Sequence, residues 1–154
     1  MKTSFLVILI VFLTLLSCRK PVVTNDFQQS SNSNIVIKAG FTCGWGSGDE
    51  SIEISKTSIK YIYSVPAKSQ QPLINKTRSV PNSEWTEILK DVNIDTFFKL
   101  NYLTCNVCFD GCDEWIIITR NNISHEIRFT KGFKIESISK IQNKLSQLRD
   151  EFNK

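Results

Sequence analysis

Three cysteines fall within eight residues in Cys105-Asn-Val-Cys108-Phe-Asp-Gly-Cys112, and a fourth, Cys43, stands far upstream. Thiols in this pattern support three chemistries. Four thiolates can hold zinc or an iron–sulfur cluster. Two in a Cys-x-x-Cys can exchange electrons when a helix N-terminus lowers the pKa of the first. Four can also pair as disulfides, in any of three connectivities. The spacing weighs against metal. Zinc knuckles pair two short chelating turns, whereas here three ligands crowd one turn and Cys43 is alone. Redox chemistry fits poorly too, because Cys105-x-x-Cys108 precedes an apolar strand inside a Gly- and Asp-containing loop and does not open a helix.

The remaining reactive side chains form no constellation. Asp110, Asp113 and Glu114 beside Gly111 lack the Asp-x-Asp-x-Asp-Gly loop and distal Glu of a calcium site, and read as a solvated acidic turn. His125, the only histidine, is in phase with Ile127 and Phe129, which suits a half-buried strand position better than a general base. No Gly-x-Ser-x-Gly elbow occurs. Glu84, Glu87, Asp91 and Asp95 read as a solvated helix face. Gly44-Trp-Gly-Ser-Gly48 lacks the Gly-Lys-Ser/Thr ending of a phosphate cradle and reads as a flexible turn, with Trp45 either packed or presented. Asn75-Lys-Thr77 and Asn122-Ile-Ser124 match short glycosylation acceptors of little specificity. Catalysis therefore finds little support, and no catalytic residue, metal site or cofactor is expected.

The elements that position these residues are short. Ile35-Val36-Ile37 is an apolar run of strand character. Ser51–Ser55 and Ile59–Tyr63 alternate on either side of Lys56-Thr-Ser and form a hairpin. The segment from Val65 to Pro81 holds three prolines and many polar residues and reads as a loop. Ser83 is placed to cap a helix whose Trp85, Ile88, Leu89 and Val92 share one face. Asp95 can open a further turn with Phe97, Phe98 and Leu100. Trp115–Thr119 is apolar on both faces, as in a central strand. Asn121-Asn122 tolerates left-handed φ and suits a tight turn into a return strand, Ser124–Thr130. Ile135, Ile138, Ile141, Leu145, Leu148 and Phe152 mark a last helix. The expectation is an α+β domain in which two hairpins make a four-stranded antiparallel sheet, with helices on one face. Gly48-Asp-Glu-Ser-Ile-Glu-Ile54 also echoes Gly111-Cys-Asp-Glu-Trp-Ile-Ile-Ile118.

The opening of the chain sets the compartment. Lys2 precedes an apolar run, Phe5–Leu16, interrupted only by Thr14. A spanning helix needs about 20 apolar residues, so this run fits the apolar region of a signal peptide. It ends in Leu15-Leu16-Ser17-Cys18, which resembles the lipobox of bacterial lipoproteins. Leu16, where a smaller residue is usual, departs mildly from that pattern. The resemblance implies that residues 1–17 are removed and that Cys18 carries a diacylglycerol on sulfur and a further acyl chain, such as palmitate, on its new amino group. Multiple chains anchor a protein stably where one does not. Arg19 and Lys20 can add about 1 kcal/mol each against anionic headgroups. No Asp follows Cys18 and no acidic cluster follows that. The resemblance therefore implies an outer-membrane anchor facing the periplasm of the bacterial cell envelope. The rest of the chain resembles small uncharacterised envelope lipoproteins with a late Cys-rich turn, which implies location and no activity.

Residues 18–33 are polar and without period, a tether with an rms reach of roughly 20 Å. Residues 34–154 are enough for one domain with one core. The chain carries 19 Lys and Arg against 15 Asp and Glu. That mild, dispersed positive charge leaves no nucleic-acid footprint. In an oxidising compartment Cys43, Cys105, Cys108 and Cys112 are expected to form two structural disulfides, at least one of them joining Cys43 to the triplet. The expected role is non-enzymatic binding of an envelope protein, peptide or glycan through loops beside the cysteines, with Trp45, Phe109 and Trp115 as anchors. An inhibitor or immunity protein that plugs a hydrolase or toxin is the sharper form of that role. A thiol-redox or metal-handling protein is the rival, and a structural envelope component a third class.

Overall fold

Strand β1, Ile35–Cys43, is the middle of everything that follows. Only its first three residues look like a strand in sequence, because Lys38, Ala39 and Gly40 break the apolar run. In the fold they keep the period of two: Ile35, Ile37 and Ala39 are buried on one face while Lys38 is exposed on the other. The computed structural model describes residues 34–68 and 70–153. The signal peptide, Cys18 and the tether lie outside the described residues.

Six strands form one antiparallel sheet in the order β4-β3-β2-β1-β5-β6, where β2 is Asp49–Ile54, β3 Ser58–Ser64, β4 Ile74–Ser79, β5 Cys112–Arg120 and β6 Ile123–Thr130. Both expected hairpins are present. In the first, Ser55 closes the turn: its N–H donates to the Ser58 carbonyl (2.9 Å) and its Oγ accepts from the Ser58 N–H (3.1 Å). In the second, Asn121 and Asn122 take φ of 51° and 66°, the paired left-handed residues of a two-residue hairpin turn.

The four-stranded expectation is corrected to six. It omitted β1 as a full central strand, and it omitted β4, which lies in the segment read as a loop. Pro72 and Pro81 flank β4 and do not interrupt it. β4 is an edge strand with one inward apolar residue, Ile74. Its other inward positions, Lys76 and Arg78, reach polar partners at helix ends. Lys76 Nζ donates to the Phe152 carbonyl (2.6 Å). Arg78 donates to both oxygens of Glu84 (2.8 and 2.6 Å) and to Glu151 (2.8 Å). A strand whose inner face is charged has no apolar alternation to detect, and charges on an edge also discourage pairing with another chain.

Among the described residues, three α-helices join the sheet's apolar face in one core: α1 Asn82–Lys90, α2 Ile94–Phe97 and α3 Ser139–Phe152. From the sheet come Ile37, Ile52, Ile54, Ile59, Ile118 and Ile127, and from the helices Trp85, Ile88, Phe97, Leu145 and Leu148. Burying each such side chain contributes about 1.5–3 kcal/mol relative to exposure. α1 begins after Pro81 with no side-chain cap, so Ser83 lies inside the helix and not at its cap. α2 is capped by Asn93, whose Oδ1 accepts the Thr96 N–H (3.0 Å). At the end of α3, Phe152 stacks on Tyr61 with centroids 5.2 Å apart, and the Tyr61 hydroxyl donates to Asn153 Oδ1 (2.7 Å). Burial, reinforced by the nearby Glu50 carboxylate, pushes the Tyr61 phenol well above its ordinary pKa, so it stays a donor.

The echo between the two acidic pairs has a structural counterpart. β2 and β5 flank β1 at the same register: Thr42 lies opposite Asp49 and Asp113, Phe41 opposite Glu50 and Glu114, Ala39 opposite Ile52 and Ile116.

Candidate binding site at the disulfide end

β1 and β5 end opposite each other, and Cys43 and Cys112 are register partners there, with Cα atoms 4.1 Å apart. They form one disulfide, and Cys105 pairs with Cys108 in the other. Of the three connectivities open to the sequence, this one divides the labour. Cys43–Cys112 joins residues 69 positions apart. Cys105–Cys108 spans only 3 and sits on the surface, both cysteines exposed. With these four sulfurs paired, none of them is a free thiolate that could ligate a metal. Among the described residues no group of three or more His, Cys, Asp and Glu side chains is placed to hold one.

Two turns leave this staple. The first, Gly44–Gly46, is a single 3₁₀ turn and is pinned, contrary to the flexible turn expected. The Gly44 N–H donates to the Gly111 carbonyl (2.9 Å), and the Gly46 carbonyl accepts from Ala67 (2.9 Å). A Cβ on Gly44 would lie 2.8 Å from the Asp110 Cα, so only glycine lets the two turns approach. Trp45 between them has φ 55° and is 82% exposed. An aromatic residue at positive φ is rare, because its Cβ crowds the following carbonyl. The fold therefore holds Trp45 outward against both backbone strain and loss of burial.

The second turn, Asn106–Phe109, carries Phe109 at 86% exposure. Its approach is fastened to the β6 edge, where the Tyr102 carbonyl accepts from Arg128 (2.7 Å) and the Thr104 N–H donates to Arg128 (3.0 Å). Its underside is fastened to Asp113, which is fully buried. One Asp113 oxygen accepts from Thr104 Oγ1 and Asn106 Nδ2 (both 2.7 Å), the other from the Val107 N–H (3.1 Å). Burial by itself would raise the pKa of Asp113. The hydrogen bonds from Thr104, Val107 and Asn106 outweigh it and hold the carboxyl below the ordinary aspartate value.

This corrects the reading of Asp110, Asp113 and Glu114 as one solvated turn. Only Asp110 is exposed. Asp113 and Glu114 are successive strand residues on opposite faces. Glu114 points to the helix side, where Arg149 donates to Oε1 (2.8 Å) and the Gly132 N–H to Oε2 (3.0 Å). Its register counterpart Glu50 is 6% exposed, and its Oε1 has no hydrogen-bond partner among the described residues. Glu84 is likewise no member of a solvated face. The hydrogen bonds from Arg78 hold its carboxyl below the ordinary range despite partial burial.

The three expected anchors do not share one setting. Trp45 and Phe109 project from adjoining turns. Trp115 lies on the open face of the sheet, half-buried, with its ring seated on Gly40, whose absent Cβ would meet the indole Cζ2 at 2.8 Å. Leu103, 75% exposed on the Cys-rich loop, belongs to the apolar surface and was not expected there. His125 sits half-buried as expected: Nε2–H donates to the Leu100 carbonyl (2.8 Å), and the ring stacks on Phe98.

The chain matches no protein-family model and no curated protein.

Proposed function

We propose that this protein is a lipid-anchored domain of the bacterial envelope that binds another envelope protein through its disulfide end. One observation carries the reading. Trp45 and Phe109, each more than four-fifths exposed, stand on adjoining turns that are locked by Cys43–Cys112, by Gly44–Gly111 and by Asp113. Rigid aromatic residues lose little conformational entropy on binding and are enriched among interface hot spots. Blocking a hydrolase or toxin is the specific form such binding would take.

In intact cells, a photo-crosslinking residue placed at Asp110 is expected to yield one dominant protein adduct. Trp45→Ala with Phe109→Ala should weaken that adduct at least tenfold and leave the melting temperature within a few degrees, because neither side chain is buried. A diffuse adduct pattern unaffected by the double change would instead indicate a structural component without a dedicated partner.

The anchor rests on Cys18 and has its own test. Cys18→Ser should leave an uncleaved precursor that carries no diacylglycerol by intact mass. If the serine variant is processed and partitions into detergent like the parent, the lipobox reading is wrong.

A thiol-redox role keeps one supporting observation, the exposure of Cys105–Cys108. Cys105 is the N-cap of its turn, but that turn is a single four-residue 3₁₀ segment, too short to stabilise a thiolate as the N-terminus of a full helix does. A redox role requires that glutathione reduce this pair in the folded protein. Resistance to millimolar glutathione would remove it.

A further inference from the structure

The sheet has a second face. The helices pack on the apolar one, and the other carries Trp115. Level with Trp115, one row of residues crosses this open face: Arg128 on β6, then Gly40, Ser51, Ile62 and Asn75 on β1 to β4. Between Trp115 and Ile62 the row holds a glycine and a serine. Three strand spacings separate those two residues, roughly 14 Å. The Trp115 indole leans into this gap and rests on Gly40, where a Cβ would come within 2.8 Å of the indole Cζ2. Ser51, on the next strand, is half-buried. A shallow trough follows, with an aromatic ring at one end, Ile62 at the other and a hydroxyl between.

Cross-strand polar pairs border the trough on both sides. Two residues along the strands in one direction stand Lys38 and Glu53, paired at 2.7 Å, and each close to half exposed. Two residues in the other direction stand Thr42 and Asp49, with the Thr42 hydroxyl donating to the carboxylate (3.1 Å). The two borders lie roughly 13 Å apart. The accessible charges of the face balance: Lys38, Lys60 and Arg128 offset Asp49, Glu53 and Glu126. Such a face offers many donors and acceptors without a net field, which favours an uncharged, hydroxyl-rich ligand over an ionic one. A pyranose ring has that chemistry. One side presents C–H groups that rest on the electron-rich face of an aromatic ring, and its rim carries hydroxyls.

We infer that this trough binds an uncharged oligosaccharide, one sugar ring on the Trp115 indole and the chain running across Ser51 toward Ile62. Its hydroxyls meet the Lys38–Glu53 and Thr42–Asp49 pairs. The site is separate from the turns of Trp45 and Phe109, and the inference does not rest on their proposed role.

Chitotriose, cellotriose and maltotriose are the probes, titrated into the full-length protein in micelles of a sugar-free detergent. Two NMR signals report on the trough, the Trp115 indole N–H and the Ser51 backbone amide. At least one trisaccharide is expected to shift both saturably while the indole signals of Trp45 and Trp85 stay in place. Its affinity should change less than about twofold between low and high salt, because the ligand is uncharged. Trp115→Ala, followed at the Ser51 amide, should weaken binding by about tenfold or more, the scale on which aromatic anchors act. Should that variant not fold, Ser51→Tyr builds a ring into the trough from the solvent side and should abolish the shift of the Trp115 signal. The inference is overturned if no trisaccharide shifts both signals, or if binding survives in folded Ser51→Tyr. It is overturned equally if acetyl-Ala-Ala-Ala-amide shifts them as strongly, which would make the face a peptide site. A shift that grows with protein concentration alone would overturn it too, by showing that a second copy covers the face.

Discussion

Replacing Cys43 and Cys112 together by serine is expected to cost about 4 kcal/mol of folding stability. The bond closes a loop of 69 residues, and loop-closure entropy at that length corresponds to about 4 kcal/mol at room temperature. Against a total of about 5–15 kcal/mol for a domain, that is enough to populate the unfolded state under mild stress. Cys105→Ser with Cys108→Ser should cost about 2 kcal/mol or less, because that bond spans 3 positions and Asp113 holds the same turn independently. Urea unfolding of the two double variants gives the comparison directly. Equal midpoints would mean that the long staple does not act by restricting the unfolded chain.

Asp113→Asn is expected to cost about 3 kcal/mol and to release the Cys-rich turn. The carboxylate is fully buried and accepts three hydrogen bonds from Thr104, Asn106 and Val107. An amide in its place turns one acceptor into a donor that faces other donors, and bonds to a charged acceptor are worth about 1.5–3 kcal/mol each. Amide hydrogen exchange at Val107 should accelerate in the variant more than exchange in β2 or β3. The same carboxylate shapes the acid limb of stability. Its folded pKa lies below the unfolded value near 3.9. Its contribution is therefore complete above about pH 5 and is lost as pH falls through the folded value. Between pH 5 and 2.5 the parent should lose stability more steeply than Asp113→Asn. Glu84, also held low by Arg78, contributes in the same direction and remains in both proteins as a common background. Parallel curves would show that Asp113 is not what acid releases.

Asp113 also shows where sequence reading stops. In sequence it is one acid in Asp110-Gly-Cys-Asp-Glu114, and composition alone makes such a cluster a solvated turn. Its burial depends on a strand alternation that turns Asp113 and Glu114 to opposite faces, and on a loop that folds back over one face only. Neither is local. β4 was hidden for a related reason. Strand periodicity is visible when inward residues are apolar, and in β4 two of them are Lys76 and Arg78, paired with acceptors on helices: Glu84 nearby, and Glu151 and Phe152 far along the chain. The two hairpins, the apolar face of α1, the long C-terminal helix and the half-buried His125 were legible, because each follows from a period or a turn residue within a few positions.

The amino-acid order by itself determined the α+β class, the two hairpins and the helices, since these rest on local periodicity and turn chemistry. It also carries the lipobox-like segment ending at Cys18. It narrowed the four distal cysteines to three pairings and picked out Trp45 and Phe109 as aromatic residues in Gly- and Cys-rich turns. The tertiary structure decided which cysteines meet, because β1 lies between β2 and β5 and brings Cys43 opposite Cys112. It decided that Trp45 and Phe109 stand outward while Trp115 lies on Gly40. These are contacts between residues far apart in the chain, and strand order, which no local period encodes, brings them together.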